Sequence, residues 1–203
     1  MLDTNTILRM LGCFLIGSIP FAVLAMIGTG IDIRTVGSGN PGFNNVLRVN
    51  KTRAILTLIG DVGKGFFAVW VFLRAEDPAL YGWLFGFMTV FGHCYSPFLK
   101  FNGGKGVATS AGVMLVLFPA WAAAALVFFA ALRLLGSRLK WREAGMIASV
   151  STWLFFTLLM ALLIGGPDVR NAAMMTLFLA WRHHQNFRNL FTGGGGEAPA
   201  PNE

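Results

Sequence analysis

Charge is scarce in this chain. Only 12% of its 203 residues are charged, about half the share usual in a soluble domain. By contrast 55% are hydrophobic, and the mean hydropathy is +0.64. Long apolar runs recur from end to end, which excludes a soluble domain with a single anchor. They predict one polytopic all-α membrane domain over residues 1–192. Cysteine is nearly absent. Cys13 and Cys94 both lie in apolar segments, so a disulfide framework is excluded. Neither has a neighbour at metal-ligand spacing, and no metal is expected. Acidic residues number nine against sixteen Lys and Arg. In a membrane protein the net charge of +7 reports topology first, and nucleic acid explains it poorly. The first residues do not read as the basic n-region of a signal peptide. Asp3 precedes the apolar run Ile7 to Ile27, which at about 20 residues is long for a signal-peptide core. That run is read as a first spanning helix. The tail, 193–203, is mostly glycine, alanine and proline and is expected to be disordered.

What is present is glycine, in two polar stretches. Phe101 to Gly112, F-N-G-G-K-G-V-A-T-S-A-G, sets Lys105 among Gly103, Gly104 and Gly106, with Thr109 and Ser110 just beyond. Glycine lets backbone N–H groups approach a ligand, and successive N–H groups with a helix start make an anion-binding concavity. A phosphate is the expected occupant; the plainer reading is a flexible loop with a cytoplasmic-side lysine. This is no Walker A loop, because Leu99 stands where its first glycine belongs and Gly106 where its Ser or Thr belongs. The second stretch, Arg34 to Arg48, holds Gly37, Ser38, Gly39, Asn40 and Asn45. Its G-x-G-x-x-G lacks the strand and βαβ unit of a dinucleotide site. It is read as a loop for a second phosphate or polar substrate, against an ordinary turn rich in Gly, Pro and Asn.

Helices are expected at about 7–27, with a kink at Pro20, then at 53–73 and 80–99. The next apolar stretch, Val107 to Leu135, holds 29 residues. One helix of that length would reach roughly 43 Å, beyond a hydrocarbon core of about 30 Å, so Pro119 divides it. Helices at about 144–164 and 169–181 complete seven segments. With the chain turning at Pro119, twelve Lys and Arg fall on one side, against Arg9, Arg74 and Arg170 on the other. That bias puts the N-terminus outside and the C-terminus in the cytoplasm. Asp61 and Lys64 lie mid-helix, three apart, and can pair; direct substrate contact is equally open. His93 is expected to be a packing residue. His183 and Asn186, also three apart, would share a helical face. Both glycine loops and His183–Asn186 fall on the cytoplasmic side, where they would offer a cationic pocket to an anionic substrate that meets lipid.

These residues resemble a known family, the acyl-phosphate-dependent glycerol-3-phosphate acyltransferases of bacterial membranes, the PlsY type. The matching pieces are Gly17-Ser18-Ile19-Pro20, Gly37 to Asn40 with Asn45 and Arg48, Asp61 with Lys64-Gly65, Gly92-His93, Gly103-Gly104-Lys105 through Ser110, and Arg182-His183 with Asn186. They run in the family's order from about Gly17 to Leu190. The resemblance implies a seven-helix enzyme of the bacterial inner membrane with a cytoplasmic active site and no cofactor. It would move a fatty acyl group from acyl phosphate to the 1-hydroxyl of glycerol 3-phosphate, giving lysophosphatidic acid and phosphate. Membrane lipid and the enzyme that supplies acyl phosphate are the partners implied. Arg48, Lys105, His183 and Asn186 would be catalytic, and the glycine loops, Asp61, Lys64, Thr109 and Ser110 would bind substrate. The chain departs from the family pattern at Phe43-Asn44, at Asn102, at Lys140-Trp141-Arg142-Glu143 where Ser-Leu-Ser-Ser is usual, and at Asn189 where arginine is usual. A paralogue using another acceptor, a transporter for an anionic metabolite and a silent binding subunit stay open as alternatives.

Overall fold

The computed structural model describes residues 3–192, and among them every regular element is helical. The expectation of a disordered tail lies outside the described residues. The described chain forms two compact units, 3–117 and 118–192.

The first unit contains α1 (Thr4–Gly17), α2 (Phe21–Ala25), α3 (Phe43–Val49), α4 (Lys51–Phe72), α5 (Ala79–Cys94) and α6 (Val107–Leu117). Asp3 caps α1 by accepting from the Thr6 N–H at 2.6 Å, and Asn50 caps α4 by accepting from the Arg53 N–H at 3.0 Å. The expected kink is a full break. The helix stops at Gly17 and resumes after Pro20. Inside a membrane the freed carbonyls need partners. The Ser96 hydroxyl donates to the Ser18 carbonyl at 2.6 Å, and the Lys64 ammonium donates to the Ile19 carbonyl at 2.8 Å.

Small residues bring these helices to backbone contact, the packing mode that works without water. A Cβ at Gly65 would strike the Thr109 carbonyl and one at Gly112 the Val62 carbonyl, which joins α4 to α6. Gly17 against Thr89 and Gly92 against Phe14 join α1 to α5 in the same way. Arg9 of α1 pairs with Asp77 and donates to the Phe72 carbonyl at the end of α4. The Arg9 guanidinium beside Asp77 holds its carboxyl below the usual carboxylate range.

The second unit contains α7 (Pro119–Arg138), α8 (Ala144–Leu163), α9 (Gly166–Arg182) and α10 (His184–Thr192). Pro119 opens α7, where its missing N–H costs nothing. The division expected at Pro119 is therefore present, between Leu117 and Pro119. Gly165 and Gly166, both at positive φ, turn the chain from α8 into α9. Four stretches are long and apolar enough to cross a membrane: Thr4–Ala25, Lys51–Phe72, Pro119–Arg138 and Ala144–Leu163.

Candidate functional site

The first glycine loop is organised by one side chain. Asn45 is buried, 1% exposed. Its Oδ1 accepts from the Ser38 N–H at 3.0 Å, and its Nδ2 donates to the Ile33 and Val36 carbonyls at 2.9 and 3.0 Å. Both amide hydrogens and one acceptor site are thus spent on the loop. Asn45 thus shapes the loop from within. Gly37 (φ 57°) and Gly39 (φ 66°) are left-handed, and a Cβ on Gly37 would fall on Asn45 Oδ1. Ser38 is exposed and Asn40 half-buried. Arg48, expected in a loop, is an exposed residue in the last turn of α3. At the loop's outer edge Arg34 holds the Asp32 carboxyl down to about 2.

The second glycine loop is organised by backbone. The Gly103 N–H donates to the Cys94 carbonyl at 3.1 Å and the Gly104 N–H to the His93 carbonyl at 3.2 Å. These two N–H donors close the end of α5. Donors for an anion would have to come from Gly106 onward, where α6 begins, with the half-buried Lys105 beside them. Thr109 and Ser110 are fully buried. Thr109 lies against Gly65, and the Ser110 hydroxyl donates to the Val107 carbonyl at 2.8 Å. Thr109 belongs to the α4–α6 contact, and both side chains are closed off from the surface.

Behind this loop lies a buried charged group. Asp61 and Lys64 pair at 2.8 Å, with side chains only 3% and 2% exposed. Breaking such a pair by removing one partner costs about 3–5 kcal/mol. His93 Nδ1 stands 3.5 Å from Asp61 Oδ1, and a Cβ on Gly104 would meet the His93 ring nitrogen. In sequence His93 reads as a packing residue. Nothing local ties it to Asp61, 32 positions earlier; only the α4–α5 contact does.

In the second unit, His183 is buried at 3% exposure and caps α9. Its Nδ1 lies 2.7 Å from the Leu179 carbonyl. A carbonyl only accepts, so Nδ1 carries the proton and neutral His183 keeps its lone pair on Nε2. Asn186 sits on α10, not on the helix of His183, so the two do not share one helical face as expected. Asn186 Nδ2 donates to Glu143 Oε2 at 2.6 Å. Asn189 Nδ2 reaches Glu143 Oε1 at 3.4 Å, and Arg142 Nη2 donates to the Asn189 carbonyl at 3.1 Å. Glu143 (φ 55°) and Lys140 (φ 53°) are left-handed without being glycine, each at a cost of about 1–2 kcal/mol. In the sequence Glu143 stands out only as part of a departure from the family pattern, because one acid among several cations looks like a topological loop.

The fold and these residues define a helical integral-membrane protein with a buried ion pair in mid-helix and polar residues at its loops and helix ends. The comparisons narrow the class. The family described as Glycerol-3-phosphate acyltransferase matches residues 7–193, and the chain belongs to it. A glycerol-3-phosphate acyltransferase of Laribacter hongkongensis is 39% identical, covering 93% of this chain and 94% of its own. One of Pseudomonas aeruginosa is 41% identical, covering 89% and 93%. Two crystal structures of PlsY (YgiH), an integral membrane glycerol 3-phosphate acyltransferase, superpose on the chain. The glycerol 3-phosphate form gives a TM-score of 0.81 at 28% identity over 96% of both chains. The lysophosphatidic acid form gives 0.80 at 27% identity over 95% and 94%.

Proposed function

We propose that the protein transfers a fatty acyl group from acyl phosphate to the 1-hydroxyl of glycerol 3-phosphate. The products are lysophosphatidic acid and inorganic phosphate. The observation that carries this reading is the likeness, over nearly the whole chain, to an enzyme crystallised in a glycerol 3-phosphate form and a lysophosphatidic acid form. The chain works in a bacterial inner membrane as seven segments, formed by α1–α2, α4, α5, α6, α7, α8 and α9. Its N-terminus is outside, its C-terminus and active site face the cytoplasm, and the charge bias of the loops supports that direction.

Phosphate is a good leaving group, so no protein nucleophile is needed. The glycerol hydroxyl attacks the acyl carbon, the acyl–phosphate C–O bond breaks, and the hydroxyl proton leaves. It goes to His183 Nε2 or to the departing phosphate oxygen. We favour the second, with the protein acting chiefly by positioning and charge. Lys105 and Arg48 neutralise phosphate charge, donors from Gly106 onward and the Gly37–Asn40 turn complete the phosphate contacts, and Asn186 orients the acceptor. Asp61, Lys64 and Asn45 hold these parts in place.

The test uses purified protein in lipid, palmitoyl phosphate and radiolabelled glycerol 3-phosphate, with labelled lysophosphatidic acid sought by extraction. Wild type forms product. Lys105→Ala loses about 10²–10³-fold, the scale of one transition-state donor, while His183→Gln keeps measurable turnover. Absence of product from folded wild type refutes the acyl transfer, and the reverse ranking of the two variants refutes the positioning mechanism.

A further inference from the structure

We propose that Glu143 is a positioning residue for Asn186, fixing which end of that amide meets the acceptor substrate; this rests on the acyl-transfer reading above. Three observations meet at Glu143. Its carboxylate accepts from Asn186 at 2.6 Å, a short bond of the charge-assisted kind. An ionised carboxylate has no donor, so it can hold only the NH2 end of Asn186. The Asn186 Oδ1 is thereby turned away from Glu143, with its acceptor lone pairs in one fixed direction. A side-chain amide without such a partner has two orientations of similar energy.

The second observation is strain. Glu143 sits at φ 55°, ψ 31° as the residue before α8, a position where glycine or asparagine would be unstrained. Its own carbonyl starts α8 by accepting from the Met146 and Ile147 N–H groups, and its side chain makes no cap. The backbone would be served by glycine, so the contact with α10 is what the carboxylate adds. Backbone strain held in place by its surroundings is a pointer to function. The third observation is convergence. Arg142, next in sequence, fastens the same helix through the Asn189 carbonyl, and Asn189 reaches the second Glu143 oxygen. The two segments that depart from the family pattern, 140–143 and 189, are thus in contact with each other. The contact substitutes for whatever the usual residues do there, and it acts on α10 through Glu143.

Steady-state kinetics of the full chain in lipid nanodiscs, with palmitoyl phosphate and glycerol 3-phosphate, test this. The variants are Glu143→Gly, Glu143→Gln, Asn186→Asp, the double variant and Asn189→Ala. Glu143→Gly relieves the strained φ and should melt no lower than wild type. Its kcat/KM for glycerol 3-phosphate should still fall about 10- to 100-fold, the scale of a misplaced substrate contact, with the KM for palmitoyl phosphate unchanged. Asn186→Asp alone sets two carboxylates face to face and should lose more. Adding Glu143→Gln restores a donor–acceptor pair in reverse and should recover about tenfold over Asn186→Asp. Asn189→Ala, the longer arm, should cost less than about threefold. Independent, multiplicative effects of Glu143→Gln and Asn186→Asp overturn the proposal, as does wild-type kinetics from Glu143→Gly. Should wild type itself make no product, the acyl-transfer reading fails on its own. The pair is then judged by melting temperatures of the same variants, where non-additivity supports the contact and additivity overturns it.

Discussion

The two glycine loops look alike in sequence and are built in opposite ways. Residues 33–38 are pinned chiefly by a side chain, the buried Asn45 amide with its three hydrogen bonds, beside short-range main-chain turns. Residues 101–106 are held by main chain, through Gly103 and Gly104 on the last carbonyls of α5. A side-chain staple can be removed by one substitution at a residue that takes no part in the turn. A main-chain staple cannot; it is broken only by putting atoms where glycine has none. Gly37 and Gly39 of the first loop answer chiefly to conformation, as does Gly106 (φ 87°) in the second, whereas Gly103 and Gly104 answer to space. Gly103 and Gly104 have no positive φ, whereas Gly37 and Gly39 do.

The largest effect should therefore come from Gly103→Ala. Its Cβ would lie on the His93 carbonyl, with the Cys94 carbonyl at 2.9 Å. Overpacking against backbone together with a lost hydrogen bond should cost about 2–4 kcal/mol. The loss should appear as a lower melting temperature and faster hydrogen exchange across both 90–94 and 101–106. A substitution absorbed without loss would mean that this loop is not pinned to α5. Next comes Asn45→Ala, which takes the Asn45 partner from the Ser38 N–H and the Ile33 carbonyl and leaves the Val36 carbonyl with the Gly39 N–H alone. About 2 kcal/mol is expected, with exchange faster in 33–45 and unaltered in 101–106. Spread of that change to the second loop would end the contrast between the two.

The smallest effect is at the exposed edge of the first loop. Arg34, foremost by its side-chain hydrogen bonds, brings Asp32 from 3.8 to about 2. The folded value lies below the unfolded one, so the contribution is complete above about pH 4 and fades as pH falls through about 2. Between pH 7 and 5 the loop should not respond to pH. Asp32→Asn should leave melting almost unchanged, as expected of an exposed ion pair. A clear pH dependence of loop exchange in that range would show that another group governs it.

Much of the scaffold was legible. Apolar runs, Pro20 and Pro119 placed the helices and their breaks, because membrane segments advertise length and proline interrupts an N–H ladder wherever it stands. The Asp61–Lys64 pair was legible as well, since i,i+3 spacing is local. Contacts made across the fold were not. His93 meets Asp61, and Glu143 meets Asn186, through tertiary packing that no spacing encodes. Helix α3 was missed because Phe43-Asn44-Asn45 has weak helix propensity and follows a glycine-rich turn. The bonds that Gly103 and Gly104 make to the end of α5 were not legible for a related reason. Sequence shows which residues free a backbone, but not which carbonyl their N–H groups meet.

The break at Ser18–Pro20 has a consequence for biogenesis. The Ser18 carbonyl is answered by Ser96, 78 positions later, and the Ile19 carbonyl, which has only the Phe21 N–H nearby, gains Lys64, 45 positions later. At about 5–20 residues per second, a ribosome delivers Lys64 roughly 2–9 s and Ser96 roughly 4–16 s after the break has emerged. Until then the first segment holds open backbone that lipid cannot satisfy. It must wait beside water or the insertion machinery, and its final seat in the membrane is taken only when α4 and α5 arrive.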